Sequence, residues 1–174
     1  NNDTGERIYN PLFKYSEFYR FYNALIHDER LLRVMQEKGY RGKFFLHTHH
    51  KVQLKDFTGN DIIEVMQQGI DYQEEFRNNA LLVTDFSSVA FDFAYLKKPV
   101  IYAQFDKDTF FQGQVYSEGY FDYARDGLGP VCYDYESTIE ALIHAIENDC
   151  VLDPLYDERG NAFYRWFDQD NCKR

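Results

Sequence analysis

A chain of 174 residues is long enough to bury one full hydrophobic core. Acidic residues outnumber basic ones by 29 to 19, for a formal net charge of −10, and no basic stripe is visible; nucleic acid is therefore not an expected partner. No apolar run approaches the ~20 residues that span a bilayer and no signal-peptide pattern opens the chain, so a soluble, intracellular domain is expected.

The first residue is Asn and the opening NNDTGER is polar, so residues 1–14 read as a lead-in or linker and 15–174 as the folded domain of a longer protein. Three widely spaced cysteines, Cys132, Cys150 and Cys172, read as reduced structural thiols. From Pro11 to Gly39, Phe18, Phe21, Tyr22, Leu25, Ile26, Leu31, Leu32 and Met35 recur at helical spacing. Ser16 is the expected N-cap and Gly39 the stop; Asp28 can cap a second helix after a break near His27.

Lys43–Leu46 is the first predicted strand, and it empties into His47-Thr48-His49-His50-Lys51. Imidazoles at a strand's carboxyl edge stand where α/β ligand sites form, and they can contact phosphate in either protonation state. Zinc is the sharper alternative, but its third and fourth ligands are lacking. A polar loop with Gly59 and Asn60 leads to a second strand over Ile62–Met66, a turn at Gly69, and a short polar helix over Asp71–Asn79 capped by Asp71.

Leu81-Leu82-Val83 then form a strand buried on both faces, ending at Thr84-Asp85. A helix is expected from near Ser87, with Thr84, Asp85, Ser87 and Ser88 able to accept its free N–H groups. Val89, Ala90, Phe91, Phe93, Ala94 and Leu96 make that helix apolar almost all round. Lys97 and Lys98 sit at its negative end, and Pro99 turns the chain into the strand Val100–Ala103. A helix start at a strand's carboxyl end, with two serine hydroxyls, can seat a phosphate.

An aromatic loop runs from Asp106 to Leu128 and could serve as a lid or acceptor surface. Gly129-Pro130 start a last strand over Val131–Tyr133, and a helix opens at Glu136 or Ser137 and runs through Asn148. His144 in it reads as structural. From Pro154 a final helix carries Tyr156, Phe163, Tyr164, Trp166 and Phe167, an aromatic face in need of a partner. Strands alternating with helices predict a parallel, doubly wound sheet.

Thr84-Asp85-Phe86-Ser87-Ser88-Val89, then Phe91-Asp92-Phe93 and Lys98-Pro99-Val100-Ile101, resembles the Thr-Asp-Tyr-Ser-Ser, Phe-Asp and Lys/Arg-Pro signature of the CDP-glycerol glycerophosphotransferases, which build wall teichoic acid and capsule polymers. Gly119-Tyr120-Phe121-Asp122-Tyr123 and Gly129-Pro130-Val131 are similar to the family's downstream block. The resemblance implies an α/β fold, a Rossmann-like parallel sheet with helices on both faces, as the C-terminal, donor-binding half of a GT-B-type transferase. His49 takes the place of the histidine in the family's Lys-Pro-His-Pro tetrapeptide, without either proline, and Phe86 replaces a tyrosine.

By that resemblance His49 is the catalytic residue, and Thr84, Asp85, Ser87, Ser88, Asp92 and Asp122 bind the donor or its phosphates. No metal and no cofactor are implied. Asp85 and Asp92 are assigned to holding the turn and helix, since a bare carboxylate repels a pyrophosphate. The implied reaction moves glycerol phosphate or a related polyol phosphate from a CDP-linked donor to a hydroxyl of a cell-surface polymer, releasing CMP.

Implied partners are CDP-glycerol or another CDP-polyol, a polymer or lipid-linked acceptor, and an N-terminal domain of the same chain that carries the general base. The implied location is the bacterial cytoplasm, at the inner face of the plasma membrane. A nucleotide-sugar glycosyltransferase domain and a non-catalytic Rossmann-like module that binds a protein partner are the alternatives.

Overall fold

The computed structural model describes residues 8–46, 48–66, 70–110 and 119–167. The chain divides into two units, Asn1–Glu75 and Phe76–Arg174. The expected α/β architecture of parallel strands and helices is present, with the strands forming one sheet of two and one of three.

In the first unit Asn10 caps a short 3-10 turn, Pro11–Tyr15, and Ser16 opens α1 (Glu17–Leu25), its hydroxyl accepting the Tyr19 N–H at 3.1 Å. The chain breaks at Ile26–His27, where Asp28 accepts the N–H groups of Arg30 and Leu31 and starts α2 (Glu29–Lys38). Gly39 stops it in the left-handed region, φ 75°, a conformation that costs glycine little. Phe21, Leu25, Ile26, Leu31, Val34 and Met35 are the buried stripe of this helix pair.

β1 (Gly42–Phe44) pairs in parallel with β2 (Ile63–Val65). The Asn60 carboxamide stiffens the approach to β2: its oxygen accepts from Ile62 and Ile63, and its nitrogen donates to the Ile26 carbonyl at 2.7 Å. α3 (Tyr72–Asn78) begins at the expected cap, Asp71, which accepts from Gln73 and Glu74. The predicted turn at Gly69 lies outside the described residues.

The second unit is a parallel sheet in the order β3 (Leu82–Thr84), β4 (Val100–Ala103), β5 (Val131–Cys132). β4 is central and fully buried. Val100 and Tyr102 pack with Ala90 and Phe93 of α4 (Val89–Tyr95). Strand alternation turns Ile101 and Ala103 to the opposite side. α7 (Tyr135–Glu147) packs on β4 and β5 and buries Thr138, Ile139, Leu142 and Ile146. Truncating a side chain such as Phe93 in a core of this kind costs about 3–5 kcal/mol.

Several details differ from the expectations. α7 starts at Tyr135, not at Glu136 or Ser137, because Asp134 accepts the Ser137 N–H at 2.8 Å. The long aromatic loop contains two single-turn helices, α5 (Lys107–Phe110) and α6 (Tyr123–Asp126); its residues 111–118 lie outside the described set, as does Cys172. The aromatic face of α8 (Pro154–Phe163) and the residues after it need no outside partner to be covered in part: Phe163 stacks on Phe91, and Phe167 on Tyr95, both from α4.

Candidate phosphate-binding turn

β3 ends where Thr84 pairs with Tyr102, and the chain then leaves the sheet through Asp85 and Phe86. α4 begins at Val89, two residues later than expected, with Ser88 as its half-helical cap (φ −65°, ψ −14°). Ser88 is exposed and makes no side-chain capping bond. The Ser87 hydroxyl accepts the Val89 N–H only at 3.5 Å, the outer limit of a hydrogen bond. Tight turns consume the next two donors: the Ala90 and Phe91 N–H groups bond to the carbonyls of Ser87 and Ser88 at 3.3 and 3.0 Å. The turn thus offers an anion two serine hydroxyls and the weakly held Val89 N–H, while the Ala90 and Phe91 N–H groups are taken.

The downstream aromatic block meets this turn. The Tyr123 hydroxyl donates to the Phe86 carbonyl at 3.2 Å, and its ring stands edge-on to Phe86, Phe121 and Tyr102. Phe110 lies flat on the Phe86 ring, centroids 4.0 Å apart. Burial raises the Tyr123 pKa, and the nearby Asp85 charge adds to the rise.

The two remaining carboxylates have other surroundings. Asp122 caps α6, accepting the Arg125 N–H at 2.9 Å, while its own N–H donates to Asp126. The Arg125 guanidinium on Asp126 lowers that neighbour's pKa to about 2. Asp92 is exposed one turn further along α4, on a cleft of about 370 Å³ shared with Phe91, Tyr95, Phe163, Tyr164, Arg165 and Trp166. There the Tyr164 hydroxyl donates to the Phe91 carbonyl at 2.6 Å. Within the second unit the structure therefore groups Thr84, Asp85, Ser87 and Ser88, brings the Asp122 segment alongside through Tyr123, and sets Asp92 beside the α8 aromatics.

In the first unit β1 ends at Phe44 rather than Leu46, and a 3-10 helix, Thr48–Asp56, carries His49 and His50. His47 and the side chains of His49 and His50 lie outside what is described.

The family model for CDP-Glycerol:Poly(glycerophosphate) glycerophosphotransferase matches residues 2–174. The chain belongs to this family. It is 39% identical over 170 residues to the Minor teichoic acid biosynthesis protein GgaB of Bacillus subtilis (strain 168), covering 98% of this chain and 18% of that protein. It is 30% identical over 124 residues to the Teichoic acid glycerol-phosphate transferase of Staphylococcus aureus (strain NCTC 8325 / PS 47), covering 70% of this chain and 30% of the relative. A 92-residue match at 36% identity, 51% of this chain and 12% of the other, links it to the Teichoic acid poly(glycerol phosphate) polymerase of Bacillus subtilis (strain 168). The chain therefore spans less than a third of each of these relatives. No solved structure matches.

Two motif elements turn out to be architectural. The Lys98 ammonium donates to the carbonyls of Phe76, Arg77 and Asn79 at 2.7–2.8 Å, tying the C-terminal end of α3 to the start of β4. Burial lowers its pKa. Gly129 passes so close to β4 that a Cβ there would stand 1.8 Å from the Val100 carbonyl oxygen. Gln104 and Tyr123 were not singled out as site residues from the sequence; a glutamine continuing the fully buried run Val100–Ala103 was the available signal for the first. Among the described residues no helix is long and apolar enough to cross a membrane.

Proposed function

We propose that this chain is the donor-binding domain of a transferase that moves glycerol phosphate, or a related polyol phosphate, from a CDP-linked donor to a hydroxyl of a cell-surface polymer, with release of CMP. The observation that carries it is the Thr84–Ser88 turn: in a member of this family, two serine hydroxyls leave the carboxyl end of a parallel strand, where α/β folds bind ligands. The relatives' names, a teichoic acid glycerol-phosphate transferase and a poly(glycerol phosphate) polymerase, support glycerophosphate as the transferred group.

In this proposal Ser87 and Ser88 hydrogen-bond the donor phosphates, and Thr84 and Asp85 shape the turn. Asp122 acts through the segment that carries Tyr123, and Asp92 organises α4. His49 is proposed to contact the donor phosphates, stabilising charge on the departing CMP. The attacking hydroxyl needs a base; the proposal assigns it to a further domain, of the GT-B type, in a protein as long as the relatives. The acceptor is a polymer or a lipid-linked primer, and the place of work is the cytoplasmic face of the plasma membrane.

Calorimetric titration of the full-length protein with CDP-glycerol, CDP-ribitol and a UDP-sugar tests this. CDP-polyols should bind and the UDP-sugar should not. Preference for the UDP-sugar would move the protein to nucleotide-sugar chemistry, and no nucleotide binding at all would make it an interaction module.

A further inference from the structure

Gln104 directly follows β4 and stays in the ladder: its N–H donates to the Cys132 carbonyl at 2.8 Å, and its own carbonyl accepts from Lys107 at 3.2 Å. The residue is 1% exposed, yet neither Oε1 nor Nε2 has a hydrogen-bond partner among the described residues. A carboxamide carries two donors and one acceptor oxygen. Burying it unpaired costs more than a well-made hydrogen bond returns, so an unpaired buried amide calls for an explanation such as a ligand, a water or a stored strain.

Its position favours a ligand. Val100 and Tyr102 face α4, so by alternation Gln104 projects to that same face, at the end of the helix where the serine turn lies. Thr84 pairs with Tyr102, so the chain leaves β3 for the serine turn at the same edge of the sheet at which Gln104 follows β4. Carboxyl ends of parallel strands are where such sheets hold ligands, and β4 is the central strand here.

We infer that Gln104 is a specificity-determining residue whose carboxamide hydrogen-bonds a vicinal diol of the phosphate ester held at the Ser87–Ser88 turn. This rests on the donor-binding assignment above and adds the part of the donor that is read. A diol matches because one hydroxyl can donate to Oε1 while the other accepts from Nε2; a phosphate oxygen only accepts and would leave Oε1 unpaired. Two parts of CDP-glycerol carry a vicinal diol, the ribose and the glycerol. Because the amide is buried, the diol reaches it only by displacing the side chains that cover it.

The experiment compares wild-type full-length protein with Gln104→Met, close in volume but without the amide, by calorimetric titration with CMP and with CDP-glycerol and by thermal melting. The expected result is an unchanged or higher Tm together with an affinity loss of at least tenfold. Loss for both ligands places the ribose diol at Gln104, and loss for CDP-glycerol alone places the glycerol there; either supports the inference. Unchanged affinity for both overturns it and leaves Gln104 a tolerated buried amide. If Gln104→Met does not fold, Gln104→Leu serves in the same titrations. Wild-type protein that binds neither ligand would instead refute the donor-binding assignment itself, and the inference with it.

Discussion

The Tyr123 hydroxyl and the Phe86 carbonyl, 37 positions apart in sequence, are joined by a 3.2 Å hydrogen bond. Through it the Asp122-Tyr123 segment holds the turn that carries Ser87 and Ser88. Tyr123→Phe removes the bond and keeps the ring contacts, so unfolding in urea should show a loss of about 1 kcal/mol. Affinity for CDP-glycerol should fall severalfold with unchanged helix content; wild-type affinity would mean that the turn holds its shape unaided.

Replacing both Ser87 and Ser88 with Ala should weaken CDP-glycerol binding by about 1.5–3 kcal/mol for each hydrogen bond to a charged phosphate. Melting should barely change, since Ser88 makes no side-chain capping bond and the Ser87 contact is already 3.5 Å long. Calorimetry that finds wild-type affinity in a double variant with unaltered melting would remove the phosphate from this turn.

Lys98 is predicted to matter for stability rather than for the donor. Lys98→Met leaves the carbonyls of Phe76, Arg77 and Asn79 without their shared donor, an expected cost of about 2–3 kcal/mol in denaturant unfolding. The folded fraction should bind nucleotide as the wild type does. A tenfold affinity loss in that fraction would show that the ammonium reaches the ligand.

Two glycines of the family's downstream block should respond in opposite ways. Gly129→Ala drives a methyl into the Val100 carbonyl and should cost at least about 3 kcal/mol, seen as low soluble yield or a large drop in Tm. A Cβ at Gly119 meets nothing within 4 Å among the described residues, so Gly119→Ala should stay within about 0.5 kcal/mol of wild type.

Tyr102 sets an alkaline limit. Burial raises its pKa from 10.0 to about 12, outweighing the lowering by a hydrogen bond with the Leu128 backbone, and Tyr123 adds the smallest push upward. The neutral phenol is favoured in the folded chain, so this stability is fully present below pH 10 and is lost as pH rises toward 12. The loss amounts to about 3 kcal/mol. Tyr102→Phe should flatten that part of the pH–stability curve while leaving stability at neutral pH within about 1 kcal/mol of wild type.

Local chemistry was legible from residues alone. The caps Ser16, Asp28 and Asp71, the stop at Gly39, the break at His27 and the strand Val100–Ala103 follow from side chains within about four positions of one another, and each stands in the structure as read. The family could be recognised for a similar reason, because its signature is a run of contiguous residues from Thr84 to Ile101. Weak local signals misled: Asp134 outcompeted Glu136 and Ser137 as the cap of α7, and a 3-10 helix, Thr48–Asp56, stands where a loop was expected.

The tertiary fold alone decided what the motif residues do. Lys98 reaches carbonyls 19 to 22 positions back, Tyr123 reaches one 37 positions back, and Gly129 is needed because the chain returns against Val100. The unpaired amide of Gln104 likewise exists only once β4 is enclosed on both faces. Capping and periodicity are set by neighbours along the chain, whereas burial and long-range hydrogen bonding are set by which segments return to the same place, and no window of sequence contains both partners.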